Sequence, residues 1–300
     1  MTRIPDYVHQ QQMTARVVDG LSRIRDLQAQ VSSGFRAQDY AGIAQDASRL
    51  LATEIEHGRA RQYGSNITQA MQRLEASDAS VSALFDVASD LRTMLVQATS
   101  DNSGSEVPVA ENARNMLNVV VTQLNAKLNG RFLFSGTRTD TPPISEPVPD
   151  PLIVGIPDAT YYQGDSTALS VRADDGVTID YGITGDRLGF QAIVGALKAA
   201  IAGDETATPG LLETAIDLAN QALRELSSYR TELGSNMKTL GAIQTRHEDF
   251  MVYAEGIISD VENVDVTLAI TQLAQQQTTL EASYTVLARI SQLNLTNYLK

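Results

Sequence analysis

Residues 212–261 read LETAIDLANQALRELSSYRTELGSNMKTLGAIQTRHEDFMVYAEGIISDV. Steps of four and three alternate from Leu212 through Ile216, Ala219, Leu223, Leu226, Arg230, Leu233, Met237, Leu240, Gln244, His247, Met251, Ala254 and Ile258 to Val261. Twelve of those fifteen positions are apolar, and no proline interrupts the run. A stripe at this period predicts one long helix, buried along one flank in a bundle or coiled coil. At 1.5 Å per residue it would reach roughly 75 Å, far beyond an ordinary globular helix.

Past Val261 the phase slips. The next heptad position is Asp265, and the apolar pattern restarts one residue late as Val266, Ile270, Leu273, Gln277, Leu280, Tyr284 and Leu287. The slip at Asn263-Val264-Asp265 predicts a boundary between two helical layers. The N-terminal half mirrors this plan. Val17, Leu21, Ile24, Leu27 and Val31 form a short stripe that stops at Ser32-Ser33-Gly34. A second stripe runs from Ile67 through Met71, Leu74, Val81 and Phe85 to Leu95, interrupted at Asp78 and Arg92. After a turn cluster at Asp101-Asn102-Ser103-Gly104-Ser105, a third helix carries Ala113, Leu117, Val120, Leu124 and Leu128.

Between Gly130 and about Gly189 the pattern changes. Pro142, Pro143, Pro147, Pro149 and Pro151 exclude helix around them. Ala168–Arg172 and Val177–Tyr181 alternate as strands around the turn signal Asp174-Asp175-Gly176. In Gly130–Thr137 the expected strand places Phe132 and Phe134 on one side and Leu133 on the other. A short helix is expected from about Phe190 to Ile201, then a loop containing Pro209-Gly210. The fold class is therefore mainly α with a small β-rich insert, the terminal segments forming a long antiparallel bundle or coiled coil. The divisions fall at 1–41 and 263–300 for the terminal helices, 42–129 and 209–262 for the rod, and 130–208 for the insert.

Composition narrows the function. The 300 residues carry 23 Lys+Arg against 36 Asp+Glu, a net charge of −13, which disfavours nucleic acid as a partner. There is no Cys, so disulfides, thiolate zinc sites and cysteine nucleophiles are excluded. No apolar run is long enough for a membrane span, and no cleavable signal peptide is visible. His9, His57 and His247 have no metal-ligand spacing, no phosphate-cradling glycine loop is present, and Asp174-Asp175 and Glu262/Asp265 do not match a calcium loop. Neither catalytic, metal nor cofactor residues are expected; an enzyme or ligand module would have to sit in the insert, near 60 residues and small for a pocket.

Several segments resemble a known family. Val31-Ser32-Ser33-Gly34-Phe35-Arg36, with Asp39-Tyr40-Ala41-Gly42, resembles the N-terminal signature of bacterial flagellins and their relatives. Ile257–Asp265, followed by Leu273, Gln277, Leu280, Glu281, Ala282 and Ser283, is similar to their C-terminal signature, although Asn263 stands where many relatives have Asp. Gly130–Thr137 (GRFLFSGT) and Tyr162-Gln163-Gly164-Asp165 resemble elements of the branch that joins hook to filament. The resemblance implies a non-enzymatic structural subunit of the flagellum, extracellular at the hook–filament junction and exported unfolded without a cleaved signal. The alternative is a filament flagellin. Implied partners are copies of the same subunit, a neighbouring hook-associated protein, filament flagellin, and an export chaperone on the C-terminal helix. The expected assembly interface comprises Val17, Leu21, Ile24, Leu27, Val31, Ile270, Leu273, Leu280, Tyr284 and Leu287. These end stripes lack partners of their own length in the main rod, so they pair with each other or with neighbouring subunits.

Overall fold

The computed structural model describes residues 3–100, 108–149, 154–157 and 159–298. The turn cluster expected at 101–105 lies outside them. In chain order the elements are α1 (Arg3–Ser33), a single 3₁₀ turn (Tyr40–Ile43), α2 (Ala47–Ser100), α3 (Val109–Leu124), β1 (Lys127–Leu128), β2 (Arg131–Phe132), β3 (Ser170–Asp174), β4 (Val177–Asp180), α4 (Leu188–Glu205), α5 (Pro209–Glu262) and α6 (Val266–Tyr298). They form two compact units. Unit 1 is Met1–Gly58 with Phe250–Lys300, and unit 2 is Arg59–Asp249.

In unit 1, α1 packs against α6. Leu280 lies against Gly20, and Val264 N–H donates to Gly34 O at 3.0 Å, so the two helices run antiparallel. Both change direction at matched breaks. Gly34 ends α1 at φ +78°, a left-handed conformation that favours glycine. Arg36 N–H donates to Glu262 O (2.6 Å), and Phe35 bridges Asn263 as a short antiparallel pair. Asp265 then starts α6 by accepting the Leu268 N–H at 3.0 Å. The phase slip in the sequence is thus one capped helix boundary, with α5 ending at Glu262 and α6 beginning at Val266.

Unit 2 surrounds α4, which is apolar on every side because nearly every residue from Gly189 to Ala200 is buried. α3 packs on α4, and the Asp204 carboxylate accepts the Ala110 N–H at the start of α3 (2.9 Å). Phe134, Phe190 and Tyr229 form an aromatic chain with centroids 5.5 and 5.4 Å apart. The polar interruptions of the two long stripes meet: Arg230 on α5 faces Asp78 on α2 at 3.4 Å. His247 is buried, stacked on Tyr63, with Nε2 2.8 Å from Ala173 O.

Four expectations need correction. The third helix stops at Leu124, and Leu128 lies in β1. The Asn125 side chain bonds the Ile144 backbone at N–H and C=O, and Asn129 (φ 51°) with Gly130 (φ 78°) makes a two-residue hairpin turn to β2. Gly130 is therefore a turn residue. The strand after it is only Arg131–Phe132, and Phe132, Leu133 and Phe134 are all buried instead of alternating. The buried Arg73 guanidinium explains part of that path, donating to the carbonyls of Phe132 (2.5 Å) and Leu133 (3.0 Å). Pro209-Gly210 begins α5 instead of forming a loop, since the first helical turn needs no N–H from Pro209. Finally, α4 extends from Leu188 to Glu205, beyond the expected limits. β3 and β4 pair antiparallel, with Val171 opposite Ile179 and Gly176 (φ 69°) at the turn.

Candidate assembly surface and central clasp

The ten expected interface residues divide by helix face. On α1, Val17, Leu27 and Val31 are half-buried and Ile24 is buried, whereas Leu21 is exposed. On α6, the face turned inward comprises Ala269, Leu273, Gln276, Leu280, Ser283 and Leu287. Ile270 and Tyr284 lie one column away, 50% and 47% exposed. Periodicity alone merged these two columns, because adjacent heptad columns are both apolar here. Only the packing of α1 separates the flank closed within the chain from the flank left open.

Apolar exposure in unit 1 extends beyond that column. Among the described residues, thirteen of the nineteen exposed large apolar side chains belong to unit 1, although it is the smaller unit. They include Val18, Leu21, Val266, Leu268, Ile270, Tyr284 and Val286 on α1 and α6. At 3.6 residues per turn Leu268 and Val286 flank the closed column of α6 on the side opposite Ile270 and Tyr284, so apolar side chains suited to association stand on both of its flanks. No described helix is long and apolar enough to cross a membrane, and no group of three potential metal ligands occurs among the described residues.

In unit 2 the two central sequence elements, 130–137 and 162–165, become one structure. The Asp165 carboxylate accepts from Thr137 Oγ1 (2.5 Å), Thr137 N–H (3.2 Å), Arg138 N–H (3.1 Å) and Thr167 N–H (2.9 Å). The Tyr162 hydroxyl lies between the carbonyls of Phe134 (3.0 Å) and Asp165 (2.7 Å), its one hydrogen shared by the pair. Gly136 (φ 69°) cannot carry a side chain, since a Cβ would stand 2.2 Å from Asp165 O. Gly164 is equally constrained by the Tyr162 hydroxyl. The glycines, the tyrosine and the aspartate are thus required by one knot of backbone.

Hydrogen bonds from Thr137 and Thr167 hold the Asp165 carboxyl down to about 2 from an ordinary 3.8, while burial pushes the Tyr162 phenol up. A carboxylate whose folded pKa is depressed stabilises the fold above its unfolded value and loses that contribution as the pH falls. Unit 2 is therefore expected to lose stability between about pH 4 and pH 2 through this group. Asp165→Asn is expected to lower the melting temperature at pH 7 and to flatten that acid limb in calorimetry. An unchanged acid limb in Asp165→Asn would remove the clasp from the account.

Residues 4–139 match the bacterial flagellin N-terminal helical region, and residues 216–299 match the bacterial flagellin C-terminal helical region. The chain is similar to flagellar hook-associated protein 3 of Escherichia coli (strain K12), 23% identical over 299 residues, covering 89% of this chain and 90% of that protein. Two solved structures share the fold. A putative flagellar hook-associated protein from Vibrio parahaemolyticus gives a TM-score of 0.59 at 18% identity, covering 74% of this chain and 100% of that one. Bacillus cereus FlgL gives 0.58 at 20% identity, covering 69% and 99%. With both helical regions matched in order at the two ends, the chain belongs to the bacterial flagellin family.

Proposed function

We propose that this chain is a structural subunit of the bacterial flagellum that joins hook to filament. The observation that carries the reading is the set of exposed apolar side chains on the terminal helices of unit 1, a surface suited to association. The near full-length likeness to a hook-associated protein 3 supports the junction role over a filament role. The clasp built from 130–137 and 162–165 supports the same choice, because those elements carried the resemblance to the junction branch.

In this reading the partners are further copies of the chain, an adjoining hook-associated protein on one side and filament flagellin on the other. An export chaperone covers the C-terminal helix before assembly. The protein leaves the cell and functions outside it. The test is electron microscopy of a strain lacking this gene. Hooks without filaments are expected, with flagellin released into the medium, and the wild-type chain should restore filaments. Normal filaments on the deletion strain would overturn the junction role.

A further inference from the structure

A cleft of about 480 Å³ opens in unit 1 where α1 ends, lined by Phe35, Asp39, Tyr40, Ile43 and Glu262 among others. Its walls are apolar and aromatic, with Phe35 46% and Tyr40 50% exposed. Its edge is acidic. Asp39 engages only Oδ1, in capping the Gly42 N–H (3.0 Å), and the Glu262 carboxylate has no partner among the described residues. The Tyr40 hydroxyl is held by Glu54 at 3.0 Å. Aromatic faces beside unpaired carboxylates suit a guanidinium, which stacks on rings and donates to carboxylates together.

Unit 1 presents such a group elsewhere on its surface. Val18, Leu21 and Arg25 follow one another at i, i+3 and i+7 on the exposed face of α1. Arg25 has no ion pair or hydrogen bond among the described residues, whereas nearby Arg23 is already paired with Asp19 at 3.0 Å. Arg25 sits eight residues before Ser33, roughly 12 Å along the helix, farther from the cleft than its own side chain extends. Arg25 of the same chain therefore cannot fill the cleft, and an Arg25 that does so belongs to another molecule. We infer that the cleft receives Arg25 of a second copy of this chain, with that copy's Leu21 and Val18 laid against Phe35 and Tyr40. The inference rests on the assembling role proposed above and names the contact.

The test is a charge exchange in a strain lacking the gene. Arg25→Glu and Glu262→Lys, each alone, are expected to reduce the number of filaments per cell about tenfold or more, the scale of losing a charge-assisted contact. Carrying both in one chain should restore filaments, because the exchanged charges meet between copies. Circular dichroism melting of each purified variant should match the wild type, so a loss of filaments is not a loss of fold. A second measurement uses the absence of native cysteine. Arg25→Cys with Gln38→Cys should give a ladder of disulfide-linked multimers from oxidised flagella, and either cysteine alone should give monomer. If the single charge variants form filaments like the wild type, or the double-cysteine chain stays monomeric, this contact is wrong while the junction role stands. If the wild-type chain itself restores no filaments, the junction role fails with it.

Discussion

Phe134→Ala is expected to destabilise unit 2 by about 3–5 kcal/mol, the usual loss for a fully buried phenylalanine. Phe134 has no exposed surface, and its ring meets Phe190 edge-on with centroids 5.5 Å apart. Removing it opens a cavity in the middle of the aromatic chain and deletes an edge-to-face pair. Phe190 would still touch Tyr229, whose hydroxyl accepts the Gly189 N–H at 2.9 Å, but from one side only. The same backbone residue also anchors the clasp, since Phe134 O accepts Gly185 N–H (2.7 Å) and faces the Tyr162 hydroxyl. Collapse into the cavity would therefore disturb hydrogen bonds as well as packing. For a unit of this size each kcal/mol moves the melting temperature by about 2–4 °C, so a fall of about 6–20 °C is expected in calorimetry. A fall of less than about 3 °C would mean that the aromatic chain is not the centre of this core.

Ile270→Asp and Tyr284→Asp are expected to abolish assembly while leaving the melting of the isolated chain within about 0.5 kcal/mol of wild type. Both side chains lie on the open column of α6 with about half of their surface in solvent, so little packing within the chain is lost. In an assembly that covers this column, each site forfeits about 0.7–1.5 kcal/mol of apolar burial, half of a full side chain's worth, and must also desolvate a carboxylate. The first effect alone weakens a contact by about three- to tenfold. Analytical ultracentrifugation of the purified variants, alongside filament counts in cells, measures both arms. Assembly at wild-type levels would show that this column stays in water. Leu280→Asp is a weaker test, since Leu280 packs over Gly20 and its loss also loosens the pairing of α1 with α6.

The clasp shows where sequence reading stops. Gly130–Thr137 and Tyr162–Asp165 are visible as two separate short elements, and the resemblance connects both with one branch of the family. Nothing in their spacing reveals that the second supplies the carboxylate closing the first. Asn129-Gly130, by contrast, is a hairpin signal plainly present in the sequence, and a reading that gave it weight would have ended α3 earlier and placed β1 and β2.

The long helices and their breaks at Gly34 and Asn263–Asp265 were set by local rules. Apolar period, a glycine able to take positive φ and a capping aspartate act within a few residues, so the order of side chains along the chain suffices to express them. Which apolar column of α6 is closed by α1, that Asp78 and Arg230 answer each other across two helices, and how Asp165 gathers donors from Thr137 to Thr167 were decided only in three dimensions. Those pairings join residues distant along the chain, and their energies depend on distance and shielding from water, which exist only once the helices have packed.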